Sequence, residues 1–164
     1  MDEDKLNRLP PDVKKQFLKL ALKLSEKKQK TKVHDDFLTF VKHVWPEFIE
    51  GKHHKEIADK FNDIANNKIK RLIINMPPRH TKSEFASFLL PAWMVGRKPD
   101  LKIIQSTHTT ELAIRFGRKA KNLMDSQEYK QVFKTRLRED SQAAGKWETE
   151  QGGEYYAAGV GSAI

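Results

Sequence analysis

Arg79, Lys82 and Ser83 are the residues whose types and spacing best suit chemistry. They stand in Met76-Pro77-Pro78-Arg79-His80-Thr81-Lys82-Ser83, between the apolar run Arg71-Leu72-Ile73-Ile74-Asn75 and a segment of helical character. Strand, tight loop and helix in that order form the setting of a phosphate-binding loop. In such a loop a lysine sets its ammonium against the β- and γ-phosphates and a serine hydroxyl ligates Mg²⁺. The first helical amides face phosphate oxygens, where the helix dipole favours negative charge. The generic pattern wants glycine where Met76 and Thr81 stand, because the backbone must turn sharply and approach the phosphate closely. On spacing alone a second reading stands beside the first: a turn with a chance Lys-Ser pair capping a helix.

Two other groups of residues bear on chemistry. The chain has six histidines, with His53 and His54 adjacent. Adjacency predicts rings on different faces, and no carboxylate stands at ligand spacing, so His54 reads as a surface residue and no zinc site is expected. Arg115, Arg118, Lys119 and Lys121 form a basic face opposite the stripe running from Leu112 to Leu123. That face suits DNA phosphates, each contact adding salt sensitivity; a solvated helix face is the alternative. Trp45, Trp93 and Trp147 read as packing residues.

These groups need elements to position them. Val13, Phe17, Leu20, Ala21 and Leu24 recur at helical spacing and predict an amphipathic helix from about Pro11 to Lys28. Prolines 10 and 11 suit its start. The run from Glu26 to Lys32 lacks apolar residues and reads as a linker, weakly attractive to DNA. Phe37, Phe40, Val41 and Val44 predict a short helix ended by Trp45-Pro46. Ile57, Phe61 and Ile64 predict another from His53 to Ala65. Arg71 to Asn75 reads as a buried parallel strand. A helix follows from Thr81 or Lys82 to Leu90, kinked or divided at Pro91. Leu101 to Ser106 reads as a second strand. Thr109 or Thr110 caps a helix through Met124, with Leu112, Phe116, Ala120 and Leu123 inward. Strand, helix, strand, helix implies a right-handed βαβ unit, hence an α/β fold with a parallel sheet and helices on both faces. Gln127 to Ala144 reads as a short helix and a loop. Trp147 to Ile164 reads as a hairpin turning at Gln151-Gly152-Gly153.

Composition narrows the partners. The 164 residues carry 31 Lys+Arg against 22 Asp+Glu, a net charge of +9 with a pI near 9.6. That excess favours nucleic acid, nucleotide or another polyanion. Cys 0 removes disulfides, thiolate metal sites and cysteine nucleophiles. No long uncharged apolar run suggests a membrane span, and the acidic start from Met1 to Asp4 predicts no secretory leader.

The stretch from Asn75 to Glu84 closely resembles the deviant Walker A loop of phage terminase large subunits, the motors that package DNA into viral capsids. In that family the loop commonly reads Pro-Pro-Arg-His-Gly-Lys-Ser, and only the glycine is replaced here, by Thr81. His53-His54-Lys55-Glu56-Ile57 is similar to the family's segment upstream of the first strand, on the adenine side. Lys102 to His108, with Glu111-Leu112-Ala113 and Phe116-Gly117-Arg118, resembles the second strand and helix. Gly152-Gly153 and the run from Gly159 to Ile164 resemble the glycine-rich hairpin before Walker B. The likeness covers roughly residues 35–164, leaving 1–34 as a basic helical segment and linker.

The resemblance implies a P-loop NTPase-like parallel sheet with ATP and Mg²⁺ as cofactors. The nucleotide would lie against Pro78, Arg79, His80, Thr81, Lys82, Ser83 and His54, with Ser83 on the metal. Lys82 would carry the triphosphate, and Arg79 would offset charge developing in phosphoryl transfer. The departure at Thr81 leaves two outcomes: weaker binding, or tolerance through a different backbone angle. Implied partners are double-stranded DNA, a portal and procapsid, a small terminase subunit and further copies of the complete protein, in the host cytoplasm and away from membranes. The family's Walker B acids, coupling motif and nuclease find no match in the sequence, so an incomplete sheet and weak hydrolysis by this chain alone are expected, with a companion chain supplying the rest. Two alternatives remain: a non-catalytic nucleic-acid-binding module with a degenerate loop, and a helicase-type ATPase.

Overall fold

The computed structural model describes residues 10–161. The expectations on Met1 to Asp4 and on Ser162, Ala163 and Ile164 lie outside the described residues. Helix α1 spans Pro11–Asp35 and begins at the proline pair as expected. It does not stop at Lys28. The expected linker is helical, because Glu, Lys and Gln are good helix formers and no glycine or proline interrupts them. Its amphipathic stripe lies in the open: Phe17, Leu20 and Leu24 are exposed, and Val33 is the helix's buried residue. The C-terminal end is fastened where Trp93 Nε1–H donates to the His34 carbonyl at 3.0 Å.

Helix α2, Phe37–Val44, starts where Asp36 accepts from the Thr39 amide at 2.7 Å. Helix α3, Lys52–Ala65, buries Ile57, Ala58, Phe61 and Ala65. Phe37 sits at the centre of the helical half, its ring edge-on to Phe61, Phe85 and Trp93 at 5.1, 5.4 and 5.4 Å. Such edge contacts suit the ring quadrupole.

The segment expected as a buried parallel strand is not a strand: its side chains alternate in burial, but it pairs with no strand among the described residues. Leu72, Ile74 and Met76 pack against the core, whereas Ile73 is 87% exposed. Residues 71–76 make no backbone hydrogen bond among the described residues. Alternating apolar side chains favour the extended conformation, but a ladder needs a neighbouring strand, and this segment has no place in the sheet.

The loop then leads into helix α4, Lys82–Glu84, a π-helical turn at Phe85–Leu89 and helix α5, Leu90–Arg97. Pro91 does not divide this run. The widened turn, in which the Leu90 amide donates to the Phe85 carbonyl, falls beside the proline. A π-turn there accommodates the missing N–H and the ring's bulk against the preceding turn.

Strand β1 is Lys102–Thr107, helix α6 Thr110–Asp125 and helix α7 Gln127–Val132. Strands β2 Leu137–Ala143, β3 Lys146–Thr149 and β4 Glu154–Gly159 follow. The sheet order is β1-β4-β3-β2. The fold is α/β, yet the sheet is mixed. β1 and β4 are parallel, with Ile103 opposite Tyr155, while β4–β3 and β3–β2 are antiparallel. Short turns join β2, β3 and β4 and force antiparallel pairing. The long route from β1 through α6 permits the one parallel pair. The expected hairpin is β3–β4, turning at Gly152 with φ 87°. β2 replaces an expected loop.

Trp147 stacks on Tyr155 with centroids 4.7 Å apart and planes 3° from parallel, beneath α6. The buried face of α6 is Ala113, Phe116, Gly117, Ala120 and Met124; Leu112 and Leu123 flank it. No helix among the described residues is long and apolar enough to cross a membrane.

Candidate functional site

The stretch from Pro77 to Ser83 runs from the unpaired segment into the start of α4, which begins at Lys82. Together with Glu84 it lines an open cavity of about 320 Å³. Two of its residues hold backbone conformations uncommon outside glycine: Arg79 has φ 65° and Thr81 has φ 60° with ψ 9°. Left-handed conformations cost non-glycine residues about 1–3 kcal/mol each and gather at functional sites. Thr81 stands where the resemblance wants glycine, and its backbone angle is the left-handed one that glycine adopts freely. A left-handed residue followed by the right-handed helical start at Lys82 is an arrangement in which successive amides converge on an anion.

Arg79, Lys82 and Ser83 are exposed, and neither the Arg79 guanidinium nor the Lys82 ammonium has a hydrogen-bond or ion-pair partner among the described residues. Other cations are committed: Arg138 to Asp140 and Glu148, Lys42 and Lys55 to Glu50. Unpaired guanidinium and ammonium groups beside a concave loop suit a polyphosphate, Arg as a planar fork and Lys as a point charge. His80 is exposed, its Nδ1 lying 2.9 Å from the Pro78 carbonyl oxygen. The donor set suits phosphate oxygens, and Ser83 adds a hydroxyl at the same cavity.

His54 departs from expectation. It is 6% exposed and wedged between Phe48 and Phe85, with ring centroids 4.8 and 5.1 Å away. Its ring and that of His53 do not diverge; their centroids are 3.8 Å apart. The first turn of α3 brings them together, because the His54 side chain curls back over the helix start. There His54 Nδ1 accepts from the Gly51 amide at 2.8 Å, as an N3 side chain does in a capping box. Its Nε2 lies 2.6 Å from Thr81 Oγ1. Burial holds His54 below the ordinary imidazole value; His53 and His80 add to the depression, and Glu50 opposes it.

The basic face of α6 divides. Arg115 and Arg118 line a cavity of about 540 Å³ with His108, Thr109 and Glu111. Lys119 instead turns to the loop's far end, where it binds Glu84. Sequence reasoning missed that pair. The Glu84–Lys119 separation spans two elements, and no local pattern announces it. Comparison with protein-family models, with curated proteins and with solved structures gives no match.

Proposed function

We propose that the chain binds ATP through the loop from Pro78 to Ser83, as the nucleotide-binding part of a DNA-packaging motor of the phage terminase large-subunit type. The observation that carries this reading is the left-handed backbone of Thr81 directly before Lys82. Side-chain identity departs from the motif at that position, while the backbone takes a conformation that glycine adopts freely. The unpartnered Arg79 and Lys82 beside the same cavity support it.

In this reading Lys82 draws the phosphates against the start of the helical run. Arg79 places a fixed positive charge where negative charge grows as the terminal phosphoryl group leaves. Ser83 would hold Mg²⁺ with the nucleotide, and the ion would supply charge neutralisation there. Among the described residues the carboxylate lining the loop cavity is Glu84, held by Lys119, so these residues suit binding better than activation of water. Hydrolysis in this reading draws on acidic groups other than those lining the loop cavity. Translocation of double-stranded DNA into a procapsid, with portal, small subunit and further copies in the host cytoplasm, belongs to the complete assembly. The cavity with Arg115 and Arg118 favours, as a second reading, a nucleic-acid-binding module.

Titration of a fluorescent ATP analogue with Mg²⁺ tests the proposal. Saturable binding by the wild-type chain, lost in Lys82→Ala, is the expected result. No binding by a folded wild-type chain overturns it.

A further inference from the structure

We infer that His54 is the positioning residue of the loop: it bridges the start of α3 to Thr81 and holds that residue in the left-handed conformation that glycine would adopt unaided. The inference rests on the nucleotide-binding reading for its consequence, though not for its geometry.

The hydrogen bonds fix the direction of the bridge. The Gly51 amide can only donate, so His54 Nδ1 accepts and carries no proton. The ring proton is then on Nε2, which donates to Thr81 Oγ1 at 2.6 Å. The Thr81 hydroxyl, its lone pair engaged, donates in turn to the His80 carbonyl at 2.6 Å. The chain runs from backbone amide to imidazole to hydroxyl to loop carbonyl, with every polar group used once. Phe48, in an edge-type contact at 64°, and Phe85, tilted at 33°, pack against the ring, so the imidazole arrives already oriented.

Of the loop's two left-handed residues, Thr81 is thus the one that the buried ring holds. A β-branched side chain resists φ near +60°, and Thr81 shows φ 60°. Glycine needs no such holder. A threonine needs one, and its hydroxyl is the handle that a glycine lacks. His54 is too buried to serve as a nucleotide contact; it acts through Thr81 on the backbone ahead of Lys82.

Four chains test this: wild type, His54→Ala, Thr81→Gly and the double variant. Each is titrated with the Mg²⁺-bound ATP analogue, and the Thr81 backbone angle is followed by its amide–α-proton coupling in NMR. We expect His54→Ala to weaken binding about tenfold, equivalent to about 1.4 kcal/mol. In the Thr81→Gly background the same change costs less than about twofold, a coupling seen only between residues acting on each other. Thr81→Val keeps the branch and removes the hydroxyl, so it reproduces the His54→Ala loss; it carries the test if His54→Ala does not fold. Equal losses in both backgrounds, or a Thr81→Val chain that binds as wild type does, overturn the inference. A wild-type chain that binds no analogue removes the nucleotide reading alone. The NMR coupling then decides about His54: loss of the left-handed value in Thr81→Val or His54→Ala sustains it, and retention in both rejects it.

Discussion

Lys119 grips both carboxylate oxygens of Glu84, at 2.7 and 2.9 Å, while its ammonium lies 5.5 Å from the Phe88 ring centre. The pair ties the middle of α6 to the first turn after Lys82 and Ser83. It takes one cation out of the basic face and leaves Arg115 and Arg118 beside their own cavity.

This division predicts unequal salt behaviour. If the face of α6 contacts double-stranded DNA, Arg115→Ala and Arg118→Ala each lower the slope of log affinity against log salt by about 1. Lys119→Ala leaves the slope within error, because its charge is already matched by Glu84. Filter binding or anisotropy across a salt series reads the three slopes.

Acid should loosen the histidine bridge. His54 is held below its ordinary value of 6.5, first by burial and then by the charges of His53 and His80, with Glu50 opposing. The folded state therefore takes up the proton later than the unfolded chain. Stability is full above pH 6.5 and declines as pH falls from there towards the lower folded value, since the unfolded state binds more protons in that window. Urea midpoints from about pH 8 to about pH 5 should show that slope in the wild type and a shallower one in His54→Gln.

Helix α1 should break without unfolding the core. Gln29→Pro lies in an exposed stretch of the helix and costs it about 3 kcal/mol locally. Circular dichroism should lose helical signal while the unfolding midpoint followed by tryptophan fluorescence stays put. A midpoint that falls with the helical signal would show that the stripe of Phe17, Leu20 and Leu24 contributes to the core after all.

The sheet's anchor is Trp147. Its ring is fully buried on Tyr155, and its Nε1–H donates to the Gly117 carbonyl at 3.3 Å. Trp147→Ala should cost about 3–5 kcal/mol of global stability in denaturant unfolding, by cavity formation and a lost hydrogen bond.

The helices that could be read from the sequence carry their own instructions. Thr109 caps, and Phe37, Phe40 and Val41 repeat at the helical period, so α6 and α2 fall where the residues say. The run from Glu26 to Lys32 was opaque because polarity looks the same in a linker and in a solvated helix. β2 was opaque because Leu137 to Ala143 is too polar to show an alternating face. Leu72 and Ile74 announced an extended segment, but pairing is decided by distant residues. At the site, Lys82, Ser83 and Arg79 were legible by type. The left-handed turn at Thr81 was not, since its stabiliser, His54, is remote in sequence and hidden in the core.

The unpaired stretch at 71–76 also sets the mechanics of what it carries. Its upstream end is pinned by a turn in which the Lys68 amide donates to the Asp63 carbonyl at 2.8 Å, and its downstream end runs into the loop. Between these points Leu72, Ile74 and Met76 pack against the core. A sheet strand is stiff in all directions because sliding it shears a whole ladder. The stretch at 71–76 lacks such a ladder, so among the described residues its hold on the molecule rests on side-chain packing, and the loop after it takes its own anchorage from His54 and from the Phe85 amide on the Thr81 carbonyl.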